Sequence, residues 1–371
     1  MAGPFIQENW QLFLKGQQWK EAFEYPLFTD AHIVGDMVEY GPYRLINTIA
    51  YGEQKQTRPS IVLRALWFIE PSLPNWEATN DERYHGGWFA DEVAALVSLC
   101  LGIRLRAGSE NRVFRPDGDP MGRPIAYGLA PEPKIPQISL QQNLVLPYHQ
   151  GQRELSDSQL LETLPSLPPE DALVLVRAAR LYQEAVWVAE TEPERSWLLL
   201  TSAVETAANR WRSTEEPPVE RLRASRPQLE KLLRDRCGDD FVEEVAAYIA
   251  PYMGATRKFI DFLLEFLPPP PQERPPSAFQ VNWNASHLKK VFAKVYKHRS
   301  RALHGGIPFP APMCAPPISV ERQFVEKPAG LAASALGGVW RGEDIPIHLH
   351  TFEYIVRGAL LNWWGSLTDT A

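Results

Sequence analysis

An arginine and a histidine, types that bind phosphate and move protons, lie five residues apart near the end of one helix-like segment, HLKKVFAKVYKHRSRALH (287–304). Asn284 suits an N-cap before it, and Gly305-Gly306 stops it. Its apolar positions Leu288, Val291, Phe292, Val295, Tyr296, Ala302 and Leu303 recur at steps of three and four, which makes a core-facing stripe. The missing member of that stripe is position +11 from Leu288, and it is Arg299. A guanidinium on a bundle-facing slot has to be paired or has to line a cleft, because burying it alone is costly.

A partner is available in LLLTSAVETAANRW, where Glu205 lies seven residues beyond Leu198 and four beyond Thr201, close to the packing side of its helix. A Glu205–Arg299 pair would orient the guanidinium and keep it charged; a purely structural ion pair has the same signature. His304 is offset from Arg299 by about 140° on a continuing helix. The expectation is that the helix end lets the backbone swing the imidazole back toward Arg299. An imidazole, with an ordinary pKa near 6.5, suits general acid or base work at about neutral pH. The solvent side of the segment carries Lys289, Lys290, Lys294, Lys297 and Arg301, with no acidic residue between His287 and Arg301. That basic face reads either as a nucleic-acid contact or as an ordinary solvated surface.

The elements that must position these residues fall into two regions. The first 130 residues are mixed, and an α+β domain over residues 1–150 is expected. SIVLRALWFIE (Ser60–Glu70) reads as a largely buried strand, HIVGDMVEY as a shorter one broken at Gly35, and IRLRAG, NRVFRP and PIAYG as short strands between turns. GGWFADEVAALVSLCLG suits a helix ending at Gly102. A proline-rich connector with a short amphipathic piece, SDSQLLETL, leads to residue 169, and an all-α domain is expected over 170–367. There EDALVLVRAARLYQEAVWVAE is apolar nearly all round, apart from a stripe of Arg177, Arg180 and Glu184, and so reads as a central bundle helix. A helix from Pro193 to about Arg212 follows, then pieces at 228–236, 239–250 and 256–266. After the stiff loop PPPPQERPP comes the Arg299 helix, then a Pro/Gly-rich insert (307–346), and last HTFEYIVRGALLNWWGSL.

Composition narrows the function classes. With 44% hydrophobic and 22% charged residues the chain is core-forming, and no run of about 18 apolar residues suggests a membrane span. The N-terminus lacks the pattern of a secretion signal, and three scattered cysteines exclude a Cys-rich zinc site, so a cytoplasmic setting is expected. A net charge of −7 means that any nucleic-acid contact is local. Prolines number 34, roughly twice the usual share of about 5%.

VYKHRSRALHGG (Val295–Gly306), with its Arg, four to six residues, then His, resembles the defining motif of the HEPN superfamily. LLLTSAVETAANRW resembles the Glu-bearing helix of these domains, and KFIDFLLEFLP with the following loop and VYKHRS is similar to the ApeA-like HEPN branch. The resemblance covers roughly residues 170–367; the first domain shows none. It implies a metal-independent endoribonuclease of the defence or toxin kind, acting as a homodimer in which two Arg/His motifs face each other. Arg299 would then bind the scissile phosphate, His304 would shuttle a proton, Ser300 would support the phosphate or the histidine, and Glu205 would hold Arg299. Lys294, Lys297 and Arg301 would contact RNA, and Tyr296 would stack on a base or serve the core. No cofactor and no metal are expected. The N-terminal domain would sense a trigger or regulator or select RNA. The alternative is a non-catalytic HEPN module binding RNA, nucleotide or a protein partner; a third reading is a structural protein with a coincidental Arg/His pair.

Other signals carry less. His348 and His350 form an HxH pair that, with His298 and His304, has no acidic partner at a matching spacing for a metal site. The cysteines read as core residues. Trp10, Trp19, Trp67, Trp76 and Trp88 read either as an aromatic recognition surface or as packing.

Overall fold

The computed structural model describes residues 3–48, 57–70, 75–119, 122–127, 143–211, 217–249 and 254–368. Its N-terminal region is α+β. Helix α1 (Phe5–Leu14) precedes strands β1 (Glu21–Thr29), β2 (His32–Val34), β3 (Met37–Tyr40), β4 (Tyr43–Asn47) and β5 (Arg58–Trp67). Then come α2 (Phe89–Leu101), β6 (Arg106–Ala107), β7 (Arg112–Phe114) and β8 (Ala126–Tyr127). The main sheet runs β3-β4-β5-β1-β7-β8, and β6 shares an edge of β1 with β7. Strand β9 (Gln152–Glu154) pairs in parallel with β2.

The longest strand pair joins β1 to β5, although β1 contains Pro26, which has no N–H to give to a ladder. The other edge explains why this is tolerated. There β7 pairs with residues 22–24 and β6 with residues 27–28, so Pro26 falls in the gap between them. Its carbonyl is still used, accepting from Gly108 N at 2.7 Å. The expected proline-rich stretch through Pro131, Pro133 and Pro136 lies outside the described residues; beyond it, Leu155–Ser166 forms 3₁₀ turns.

The C-terminal region is helix-rich. Helices α3 (Pro169–Val188), α4 (Pro193–Trp211), α5 (Pro218–Ser225), α6 (Pro227–Cys237), α7 (Asp239–Ile249) and α8 (Ala255–Glu265) precede α9 (Ala285–Gly305), α10 (Ala311–Cys314) and α11 (Leu349–Thr368). An all-α domain is corrected in one respect. The insert between α9 and α11 carries two small antiparallel hairpins, β10 (Ser319–Val320) with β11 (Gln323–Phe324) and β12 (Ala332–Ala335) with β13 (Gly338–Arg341). Turn residues at positive φ, Glu321, Arg322, Leu336 and Gly337, close them, and such tight pairing fits a segment too broken by Pro and Gly for a helix.

The α3 helix is the common wall. Its apolar surface, including Leu175, Val176, Ala179, Tyr182 and Val186, is buried. Its polar stripe turns to the N-terminal region, where Glu184 pairs with Arg106 at 2.5 Å and Arg177 donates to Glu82 O at 2.5 Å. Trp197 of α4 stacks on Phe309 (5.2 Å) and on Phe352 of α11 (4.7 Å), tying the insert and the last helix to the bundle. One buried cluster runs continuously from Ile6 to Trp364.

Candidate functional site

Helix α9 is built from both of its ends. Asn284 Oδ1 accepts from Ser286 N at 2.9 Å, an N-cap that satisfies an orphan donor of the first turn. Gly306 closes the other end in the left-handed region (φ 61°), a conformation that costs glycine little. Between them Leu288, Val291, Phe292, Val295 and Tyr296 are buried.

Arg299 and Glu205 meet: Arg299 Nη2 donates to Glu205 Oε2 at 2.7 Å, with both side chains under one-fifth exposed. Tyr296 Oη donates to the other carboxylate oxygen, Oε1, at 2.7 Å, and the guanidinium carbon lies 5.4 Å from the Tyr296 ring centroid. Burial first, then the bond to Glu205, pushes the Tyr296 hydroxyl up to about 12, so it stays a donor. Its ring packs on Phe259 of α8 at 5.2 Å, which makes it a core and positioning residue rather than a free stacking platform. Arg299 Nε is buried without a hydrogen-bond partner. The carboxylate therefore fixes the guanidinium through Nη2 and leaves the buried Nε unused.

Other site residues sit differently from expectation. The helix continues through Gly305, so His304 does not swing back; it is exposed, about 140° round the helix from Arg299. The left-handed turn falls on Gly306 rather than Gly305, which leaves no irregular backbone with which to redirect the ring. Leu303, assigned to the core stripe, is 51% exposed, and Ile307 just beyond is 46% exposed, because the bundle stops covering α9 at about Arg299. Ser300 is partly buried and has no side-chain partner among the described residues.

The basic face is real but smaller than the sequence suggests. Lys289, Lys290, Lys297 and Arg301 are exposed and form no ion pair among the described residues. Lys294 is bound by Asp344 of the insert, whose carboxyl it holds below the usual range, so its charge is already spoken for. That pairing competes with the RNA contact expected of Lys294. Nothing in the local sequence reveals the partner, since Asp344 lies fifty positions away in an irregular stretch. Lys297 and Arg301 share a helix face with His304, which is seven and three residues on.

The imidazoles of the HxH pair are buried 6.0 Å apart, and His350 Nε2 lies 2.9 Å from Val325 O. Burial holds His298 and His350 below the ordinary imidazole value and His348 at about 3, so they are neutral packing groups. Among the described residues no three His, Cys, Asp or Glu side chains gather as a metal site. Cys100 and Cys314 are buried, but Cys237 is exposed and is not a core residue. Of the tryptophans, Trp10 is buried against Tyr40 and Tyr43, Trp67 packs on Phe89 at 4.7 Å, and Trp76 is exposed. No helix among the described residues is long and apolar enough to cross a membrane.

Comparison with family models, with curated proteins and with solved structures finds no match for the chain.

Proposed function

We propose that the chain is a metal-independent endoribonuclease of the defence or toxin kind, with an ApeA-like HEPN bundle in its C-terminal part. Its site is completed by a second copy, so that Arg299 of one chain works with His304 of the other. The observation that carries this reading is Arg299 itself, a partly exposed guanidinium held in place by Glu205 through Nη2 alone. Glu205 engages only Nη2, so the carboxylate does not take up the whole guanidinium, whose planar donor set suits a phosphate. The uncovered end of α9 supports the second copy, since exposed Leu303 and Ile307 flank His304.

In this reading the ribose 2′-oxygen attacks phosphorus as it gives up its proton and the departing 5′-oxygen takes one up, His304 making one of these transfers and solvent the other. The P–O5′ bond breaks, leaving a 2′,3′-cyclic phosphate and a 5′-hydroxyl. Arg299 binds the non-bridging oxygens and stabilises the charge that develops on them. Ser300 supports the phosphate or the imidazole. Lys297 and Arg301 guide the strand, and the N-terminal region senses a trigger or selects the RNA. DNA, without the hydroxyl, is not cut. The setting is cytoplasmic.

One observation favours a second reading, a non-catalytic module that binds RNA, nucleotide or a protein partner: Arg299 and His304 do not converge within a single chain. Incubation with single-stranded RNA in EDTA separates the two. Cutting that disappears in Arg299→Ala and His304→Ala supports the enzyme. Binding without cutting selects the second reading, and cutting that requires added metal overturns the mechanism.

A further inference from the structure

A cavity of about 330 Å³ opens where the N-terminal region meets α11, between the end of α2, residues 148–153, the Pro271–Pro275 loop and β11. The volume suits a small molecule rather than a few waters. One wall is flat and apolar: Tyr148 meets Phe324 edge-on at 5.4 Å, and Tyr354 lies on the facing helix. The floor is built from two guanidiniums. Arg153 donates to Leu101 O at 2.8 Å and to Tyr148 O at 2.7 Å, while Arg357 donates to Leu99 O at 2.9 Å and to Cys100 O. Both are thus held by carbonyls at the C-terminus of α2, and neither has an ion-pair partner among the described residues. Gly102 makes room for this: it closes α2 at φ 63°, and a Cβ there would fall 2.8 Å from Arg357 Nε.

The carboxylates around the cavity are otherwise engaged. Glu326 is bound by Arg274 through two contacts of 2.7 Å and by Val281 N, so that pair cancels. Glu353 accepts from Tyr182 Oη at 2.6 Å. Glu273 accepts from Gln323 at the exposed rim. Arg153 and Arg357 meet one carboxylate in the floor, Glu353, while the second, Glu273, stands at the rim, so the positive charge is concentrated in the floor. His149 is 3% exposed, and its Nε2, 3.5 Å from Glu353 Oε1, is buried with no hydrogen-bond partner. A buried histidine nitrogen without a hydrogen-bond partner, beside two guanidiniums that carry no ion pair and an aromatic wall, is what a bound anion would satisfy.

We propose that this cavity binds a small molecule made of a planar ring and one anionic group, the ring against Tyr148 and Phe324 and the anion on Arg153 and Arg357. The proposal stands independently of the ribonuclease reading. A phosphate and a carboxylate share this chemistry, so thermal-shift and calorimetric titrations of the full chain use adenosine monophosphate and benzoate as probes, with adenosine as the uncharged control. The expected result is saturable binding of at least one charged probe, with adenosine at least tenfold weaker; the probe that binds identifies the anion. Tyr148→Ala and Arg357→Gln should each weaken that binding at least tenfold. Because Arg357 also anchors the end of α2, Tyr148→Ala at the half-exposed rim serves as the variant that keeps the fold, checked by circular dichroism. The proposal is overturned if neither charged probe binds at about 10 mM, if adenosine binds as tightly as the monophosphate, or if Tyr148→Ala binds like the parent chain.

Discussion

If each active site takes its arginine from one chain and its histidine from another, two inactive variants should rescue each other. Five residues of helix separate Arg299 from His304 by a rise of about 7.5 Å and a turn of about 140°. The α9 helix is regular through both, so neither side chain reaches the other's face. Arg299→Ala chains keep His304, and His304→Ala chains keep Arg299. Mixed in equal amounts and allowed to exchange, half of the dimers contain one of each, and each mixed dimer has one intact site out of two. The mixture should therefore cut at about a quarter of the parent rate, while each variant alone is near zero. The assay is single-stranded RNA cleavage in EDTA, after co-expression or denaturation and refolding together to allow exchange. A mixture no more active than the sum of its parts, with mixed dimers shown to form, would refute the two-chain arrangement. Full activity in either variant alone would remove the residue concerned from the mechanism.

Three further outcomes follow from the same geometry. Glu205→Gln replaces a carboxylate that holds both Tyr296 and Arg299, forfeiting a charge-assisted bond of about 1.5–3 kcal/mol; cleavage should fall roughly tenfold to a hundredfold, and adding it to Arg299→Ala should cause no further loss, whereas multiplied losses would show that Glu205 acts independently. Stability should be complete above the ordinary imidazole value near 6.5 and decline as pH falls towards 3, because buried His348 titrates at about 3 when folded and must take its proton on unfolding; the loss between pH 7 and pH 5 is about 2 kcal/mol, measured by denaturant titration, and His348→Leu should flatten it. Charge reversal at Lys297 or Arg301 should weaken RNA binding and lower its salt dependence by roughly one counterion each, while Lys294→Gln, whose parent side chain is engaged by Asp344, should change binding little; equal effects at all three positions in filter binding would contradict that ranking.

Much of the scaffold was legible because its signals are local. The helix reading of 86–102 rests on acidic first-turn residues and a terminal glycine, and α2 occupies 89–101 with Gly102 in the left-handed region. Gly35 divides HIVGDMVEY into β2 and β3, as a strand-breaking residue should. What escaped was non-local. Strand β1, with two glutamates and a proline, has a poor strand composition; it forms because two short strands share its far edge and spare the proline a missing bond. Glu24, inside that strand, is buried because Arg64 and Arg112 reach it from neighbouring strands. Helix α1 has no capping side chain of its own, and the local start signal is missing because Glu92 of α2 accepts from Phe5 N and Ile6 N instead.

The candidate site divides in the same way. A charged residue on an apolar stripe is a local anomaly, and it led directly to Arg299 and to Glu205. Whether a surface charge is available is decided by what folds over it, and Asp344 reaches Lys294 from a segment with no helix or strand periodicity of its own. His304 shows the limit most clearly. Its position relative to Arg299 depends on which of two adjacent glycines takes the left-handed turn, and both have the conformational freedom to do so. Had Gly305 taken it, the helix would have released His304 one residue sooner, and a site within one chain would have been open. With the turn at Gly306 the histidine stays on the exposed helix face beside Lys297 and Arg301, and the uncovered Leu303 lies next to it. That single backbone choice keeps the imidazole on the solvent side of α9, away from Arg299.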